Sequence, residues 1–236
     1  MKKNVFTTGG KGGPGKTTFI SGLAEWYQYH DIPCVRLDLD TENKVKGSFS
    51  HFFPDAAKID IQTRAGLDAF IDHAEGDAPI LLSDMGAGSG KIAFQWFDTM
   101  YESVSELMSF TAVGVITSDP ATVESVLTWA ARLQDRVSYV VVLNKQEDDA
   151  ATFSYWEDTT EARNFRKAFR PHVLTMDSRL PALQHGLRNH GVTLGAVADR
   201  KVALPDLSKA SHVIRAQAVR RQLFAELDRC KEAFLP

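Results

Sequence analysis

A glycine-rich stretch near the start of the chain has the residue types and spacing of a phosphate-binding loop. Residues 10–17 read Gly-Lys-Gly-Gly-Pro-Gly-Lys-Thr and fit the pattern GxxxxGK[ST]. Glycines let successive backbone N–H groups turn toward an anion, and a helix that opens at the loop adds partial positive charge. The pattern puts Lys16 on the β- and γ-phosphates and the Thr17 hydroxyl on Mg²⁺. The predicted nucleotide contacts here are Gly10, Gly12, Gly13, Gly15, Lys16, Thr17 and Thr18; the alternative is a glycine-rich turn without a ligand.

Carboxylates follow two apolar runs, at the points where strands would end. Asp84 closes the run 79–84, and this position suits a carboxylate that acts on Mg²⁺, through water. Asp38 and Asp40 end the run that starts at 34, and their spacing of two puts them on one face of a strand. One of them would support Mg²⁺ while the other orients the attacking water. The alternatives are a turn aspartate at 84 and a solvated loop pair at 38 and 40.

Two further positions could contact a nucleotide. Asn144 follows the apolar run 140–143, and its amide can both donate to and accept from adenine. A helix-cap or turn asparagine is the alternative. Gly88 lies four residues after Asp84, where its backbone N–H could meet the γ-phosphate.

Alternating strand and helix patterns position these residues. Such alternation predicts an α/β fold of the P-loop NTPase class, with a mostly parallel twisted sheet and helices on both faces. Ligands bind at the carboxyl ends of parallel strands, where the loop, the aspartates and Asn144 all fall. Strands are predicted over 3–8, 34–39, 79–84, 112–117, 137–143 and 172–176, and helices over 17–30, 63–74, 91–108, 121–133, 157–169, 181–189 and 206–234.

Length and composition exclude several classes of protein. We expect 236 residues to form a single domain, 1–236, that ends in a helix over about 206–234. The net charge of −3 gives no overall basic field for nucleic acid. Two cysteines in no metal-like spacing argue against a disulfide framework, and no export signal or run of ~20 apolar residues is present. These features predict a cytoplasmic protein.

The order of motifs resembles one superfamily of nucleotide-binding proteins. Residues 11–18, KGGPGKTT, are similar to the deviant phosphate loop KGGxGKTT of the ParA/MinD superfamily. An ordinary phosphate loop does not require the lysine at position 11. The similarity covers most of residues 1–195. Four more segments match in order: 38–40 resembles the switch I DxD, 84–88 the switch II DxPAG, 117–120 the strand end and helix start that follow, and 143–145 the base-binding LN[KR].

This resemblance implies a dimer with shared active sites. In the superfamily two subunits sandwich two ATP molecules, so Lys11 would act on the phosphates held by the partner. Asp40 would position the water, which makes Lys11, Lys16 and Asp40 the implied catalytic residues. Thr17, Asp38 and Asp84 would hold Mg²⁺. The implied activity is ATP hydrolysis, weak without a partner, in an ATP-dependent homodimer.

The chain departs from the superfamily pattern at three positions. Pro14 lacks a backbone N–H, Gly86 stands where proline is usual, and Thr41 stands where partition ATPases often have proline. Glycine at 86 is expected to loosen switch II. Residues 84–89 and the tail 215–228 look closest to the conjugal-transfer and plasmid-stability (TraL-like) branch. That branch implies a role in plasmid stability, partition or conjugative transfer, with a protein partner from such a system.

Other surfaces and functions stay open. Arg163, Arg166, Lys167 and Arg170 share a helix face and could contact DNA phosphates, although a solvated face is the simpler interpretation. The C-terminal helix is basic and amphipathic, so it could lie on a membrane, but packing on the domain is favoured. The alternative functions are a small-molecule synthetase or kinase on the same fold and a nucleotide-binding adaptor without turnover. An iron–sulfur reductase does not fit Cys34 and Cys230.

Overall fold

One parallel sheet organises the chain. The computed structural model describes residues 1–8, 10, 12–40, 46–86, 90–146, 148 and 150–236. Every pairing between the described strands is parallel, in the order β3-β2-β4-β1-β5-β6-β7. This confirms the predicted α/β class. The strands are β1 (Lys2–Thr7), β2 (Cys34–Asp38), β3 (Ala57–Lys58), β4 (Ile80–Asp84), β5 (Met108–Ile116), β6 (Ser138–Asn144) and β7 (His172–Met176).

Helices connect the strands. In the described residues they are α1 (Lys16–Tyr29), α2 (Phe49–Phe52), α3 (Arg64–Glu75), α4 (Gly90–Ser105), α5 (Pro120–Leu133), α6 (Ser154–Asp158), α7 (Thr160–Phe169), α8 (Pro181–His190), α9 (Leu194–Ala198) and α10 (Ala210–Arg229). Two short 3-10 turns lie at Gln134–Arg136 and Lys231–Ala233. None of these helices combines the length and the hydropathy needed to cross a membrane.

The sheet is covered on both faces. Successive residues of a strand point to opposite faces, so Val5 and Phe6 belong to two different apolar clusters. Phe6 packs with Trp129 of α5, their ring centroids 6.2 Å apart. Val5 lies in the cluster that Phe19 of α1 and Leu223 of α10 complete. Burial on both faces explains why these strands read as continuous apolar runs.

The structure corrects the predicted start of β5. The strand begins at Met108 rather than 112, and α4 ends at Ser105. Two polar residues interrupt the apolar pattern here, so this part of the strand was not predicted. The Thr111 hydroxyl donates to the Ala233 carbonyl at 2.8 Å, so a polar residue is satisfied within the core. Ser109 pairs in register with Lys3 of β1.

The helix predicted over 157–169 is divided in two. Thr159 has extended backbone torsions (φ −72°, ψ 147°) between α6 and α7, and its hydroxyl donates to the Tyr155 carbonyl at 2.7 Å. The C-terminal helix is shorter than the predicted 206–234 because it begins at Ala210 and ends at Arg229. The short elements α2, β3 and α9 were not predicted.

Candidate functional site

The glycine-rich loop connects β1 to α1 at the carboxyl edge of the sheet. Gly10, Gly13 and Gly15 have φ angles of +115°, +86° and +100°, which side chains rarely adopt. A Cβ at Gly10 would lie 2.0 Å from Ser125 Oγ, and one at Gly15 would lie 2.4 Å from Asn144 Nδ2. The loop therefore needs glycine both for its torsions and for its close packing.

The N-terminus of α1 opens directly onto this loop. Its N-cap is Gly15 in a left-handed conformation, so the N-cap has no side chain to satisfy the N–H groups of the first turn. The first turn carries Lys16, Thr17 and Thr18 and no acidic residue. A helix N-terminus, its dipole and a lysine together suit an anion. The residues present thus fit the phosphates of a nucleotide.

Side chains from the end of β6 hold the loop in place. Asn144 Nδ2 donates to the Pro14 carbonyl at 2.6 Å, and Gln146 Nε2 donates to the Gly13 carbonyl at 3.0 Å. Asn144 Oδ1 accepts from the Gln146 N–H at 3.0 Å. Because C=O and N–H point in opposite directions across a trans peptide, the bond to Pro14 turns the Gly15 N–H away from Asn144. Asn144 is therefore a support of the loop, a role that the sequence did not predict.

A buried carboxylate lies beneath the first turn of α1. Asp84 accepts from Thr7 Oγ1 at 2.9 Å and from Thr17 Oγ1 at 2.6 Å, and it is only 1% exposed. Burial raises the pKa of Asp84 to about 7, hydrogen bonds from Thr17 and Thr7 oppose this, and the Asp38 charge adds to it. Hydroxyl and carboxylate oxygens are the ligands that Mg²⁺ prefers. Thr17 and Asp84 therefore fit the donor set of a magnesium site.

Asp38 pairs in register with Asp84 but makes different contacts. It is fully buried, and its Oδ2 accepts from the Ser50 N–H at 3.0 Å and from the Ser50 hydroxyl at 2.5 Å. Lys58 Nζ lies 3.8 Å from the same oxygen, and Oδ1 accepts from the Asp40 N–H at 3.2 Å. The carboxylate thus anchors α2 to the end of β2. It does not line the cavity described below.

Asp40 lies against Gly86. A Cβ on Gly86 would be 2.3 Å from Asp40 Oδ1 and 2.8 Å from Asp40 Cγ. Glycine at 86 was expected to loosen this segment; the structure adds a packing reason, because a Cβ at 86 would displace the Asp40 carboxylate from its present position. Asp40 is nearly buried and faces the same cavity as the phosphate loop.

A cavity of about 610 Å³ extends from the phosphate loop to α8 and α9. Its size lies in the ordinary range for small-molecule sites. Lys11 and Gly88, which the sequence predicted to contact phosphate, lie outside the described residues. Of the other predicted residues, those that line the cavity are Gly12, Gly13, Gly15, Lys16, Thr17, Thr18, Asp40 and Asn144.

Sequence reasoning missed two charged residues in this cavity. Glu25 of α1 is 8% exposed, and its Oε1 accepts from the Gly195 N–H at 2.6 Å. Burial raises the pKa of Glu25. Arg179, just beyond β7, is 7% exposed, and burial lowers its pKa to about 10. Glu25 lies between the apolar residues Ala24 and Trp26, and this interruption was the one available signal in the sequence.

Comparison with known proteins gives the fold. No protein-family model matches the chain, and no curated protein matches it significantly. Among solved structures, the MinD cell division protein of Aquifex aeolicus matches 100% of this chain and 99% of its own, with 14% identity and a TM-score of 0.54. The MinC:MinD cell division protein complex of Aquifex aeolicus matches 100% and 98%, with 14% identity and a TM-score of 0.53. The chain therefore has the P-loop NTPase fold of these MinD structures.

Proposed function

We propose that this protein is an ATP-binding, slowly ATP-hydrolysing dimerisation switch of the ParA/MinD type. One observation carries the proposal. The glycine loop, the open N-terminus of α1 and the Thr17–Asp84 hydrogen bond meet at one end of a cavity of about 610 Å³. This arrangement fits a nucleoside triphosphate with Mg²⁺. The shared fold of the MinD structures supports the same choice.

Each residue of the site has a proposed contact. Lys16, Thr18 and the N–H groups of the loop would bind the phosphates, with Gly88 as a further donor. Thr17 and Asp84 would hold Mg²⁺, which neutralises phosphate charge when bound, and Asp38 would support them from behind. Asn144 keeps one N–H and one lone pair beyond its two hydrogen bonds, so it can meet adenine while it holds the loop.

Hydrolysis is proposed to need two subunits. Asp40 faces the cavity from the end of β2, where it can orient a water molecule. Lys11 of each subunit would supply a cation to the phosphates bound by the other. An additional cation that arrives only on association would couple ATP binding to dimer formation, and turnover would then separate the subunits.

The proposal also covers a protein partner and the surface on which the switch works. One matched structure is a MinC:MinD complex, which favours a protein partner here as well. We propose that this partner belongs to a system for plasmid stability, partition or conjugative transfer. Two of the helix cations proposed for DNA make local contacts: the Arg166 guanidinium lies 5.2 Å from the Trp156 ring centroid, and Arg163 donates to the Asp158 carbonyl. The fully buried Leu223 and Leu227 place the apolar face of α10 in the core, which disfavours membrane binding.

Size-exclusion chromatography with light scattering tests the switch. In the presence of Mg²⁺, we expect the protein to be a monomer with ADP and a dimer with ATP. Asp40→Ala should keep the ATP dimer for longer, because water is no longer oriented. Lys16→Ala is the control that should stay monomeric in both nucleotides. Monomer in ATP for both the wild type and Asp40→Ala would contradict the dimer switch, and dimers without phosphate release would indicate an adaptor without turnover.

A further inference from the structure

The cavity continues well past the phosphate loop along one side of α1. Thr18, Ser21 and Glu25 all line it, and their spacing of three and four residues puts them on one face of the helix. Arg179 and Thr193 line it as well. The half of the cavity beyond Thr18 is thus polar.

Two polar atoms in this half of the cavity have no hydrogen-bond partner. In the described part of the chain, the buried side-chain atoms without a partner are Ser21 Oγ, Arg179 Nε and one nitrogen of Arg36. The first two belong to residues that line the cavity. Buried polar groups are nearly always paired, because an unpaired one pays the full cost of desolvation. Two such atoms in one cavity are available to hydrogen-bond a ligand.

Arg179 is the stronger of the two signals. Its Nη2 donates to the Met176 sulfur at 3.3 Å, and a thioether is a weak acceptor. The charge of Glu25 also acts on the guanidinium and opposes the lowering of its pKa by burial. Met176 Cε lies 3.7 Å from the position of a Cβ on Gly15, so Met176 packs against the phosphate loop. The guanidinium is therefore held close to the phosphate site, and its Nε–H has no hydrogen-bond partner.

We propose that Arg179 and Ser21 donate hydrogen bonds to the nucleoside half, base and ribose, of the nucleotide whose phosphates lie on the loop. This rests on the proposed nucleotide site and names Arg179 as a specificity-determining residue within it. Ring nitrogens of a purine and ribose hydroxyls are acceptors that a guanidinium and a serine hydroxyl can meet.

The walls of the cavity favour a nucleoside over a second anionic substrate. Glu25 lines the same space as Arg179, and the two opposite charges offset each other, so this wall offers no net positive charge to a carboxylate or phosphate. Apolar side chains also line this half, and a flat base can pack on them: Phe52, Leu187, Val192 and Leu194. A mixed wall of this kind suits a ring with a polar edge.

Calorimetric titration of two ligands tests the proposal. One is Mg²⁺–ATP, and the other is Mg²⁺–tripolyphosphate, which has phosphates but no base or ribose. Arg179→Met should weaken ATP binding about 10- to 100-fold and leave tripolyphosphate binding unchanged. Ser21→Ala should show the same selectivity with a smaller loss. Arg221→Met on the exposed side of α10 removes the same charge and should change neither affinity.

The melting temperature of Arg179→Met shows whether the variant is still folded. Arg179→Met removes a buried charge that interacts favourably with Glu25, so its melting temperature is compared with that of the wild type, and both affinities are measured at a temperature at which both proteins are folded. Equal losses for both ligands, or no loss for either, would overturn the role of Arg179. A wild type that binds ATP no more tightly than tripolyphosphate would overturn the nucleoside subsite. A wild type that binds neither ligand would instead refute the proposed function.

Discussion

Replacing Asp84 by asparagine should stabilise the protein above pH 7, even though it removes a proposed magnesium ligand. Burial raises the pKa of Asp84 from 3.8 to about 7 in the folded chain. Between these two values the folded state keeps a proton that the unfolded state has released. Stability therefore falls as the pH rises through this interval. Above pH 7 the folded state bears the full cost of ionising the buried Asp84.

The size of the effect follows from the two pKa values. A difference of about 3 units corresponds to about 4 kcal/mol once both states are ionised. Between pH 5 and pH 8 the change amounts to about 3 kcal/mol, because part of the cost is already present at pH 5. For a chain of this length that equals a shift of roughly 6–12 °C in melting temperature. Asparagine has a similar shape and can still bond Thr7 and Thr17.

Unfolding in urea at pH 5 and pH 8, without Mg²⁺, measures this difference. The stability of Asp84→Asn relative to the wild type should rise by about 3 kcal/mol between the two pH values. Asp72→Asn, on the exposed face of α3, is the matched control and should show no such rise. If the relative stability of Asp84→Asn were the same at both pH values, Asp84 would not be a strained carboxylate and the reasoning would be wrong.

Two more substitutions test the supports of the site. Asn144→Ala removes the bond to the Pro14 carbonyl and leaves that carbonyl without a partner, so we expect a loss of about 1–3 kcal/mol in urea unfolding and weaker ATP binding; full stability would contradict a supporting role. Gly86→Ala introduces a Cβ 2.3 Å from Asp40 Oδ1, so phosphate release should fall at least about tenfold while ATP affinity is kept; unchanged turnover would show that Asp40 does not need its present position.

The sequence was sufficient for six of the seven described strands and for the strand ends at which Asp38, Asp84 and Asn144 lie. Continuous apolar runs that end in Asp38, Asp84 and Asn144 predicted buried parallel strands, and the structure has them. β5 was predicted too short because Ser109 and Thr111 interrupt its apolar pattern. Their hydroxyls are satisfied by distant carbonyls, and local patterning cannot show such bonds.

The contacts within the site could not be predicted because they join distant parts of the chain. Asn144 meets Pro14 across 130 residues, and Glu25 meets Gly195 across 170. Asp38 was interpreted as a magnesium residue, whereas its carboxylate also anchors Ser50 of α2, an element too short for a periodic pattern. Arg179 lies in a connection without any motif, so only the folded chain shows that its guanidinium is buried beside the phosphate loop.

Titration of Mg²⁺–ATP by calorimetry tests the central claim most directly. The wild type should bind one ATP per chain, and Lys16→Ala should abolish binding, because the lysine charge and the open N-terminus of α1 together hold the phosphates. A folded Lys16→Ala variant with undiminished ATP affinity would contradict the assignment of the glycine-rich loop as the nucleotide site.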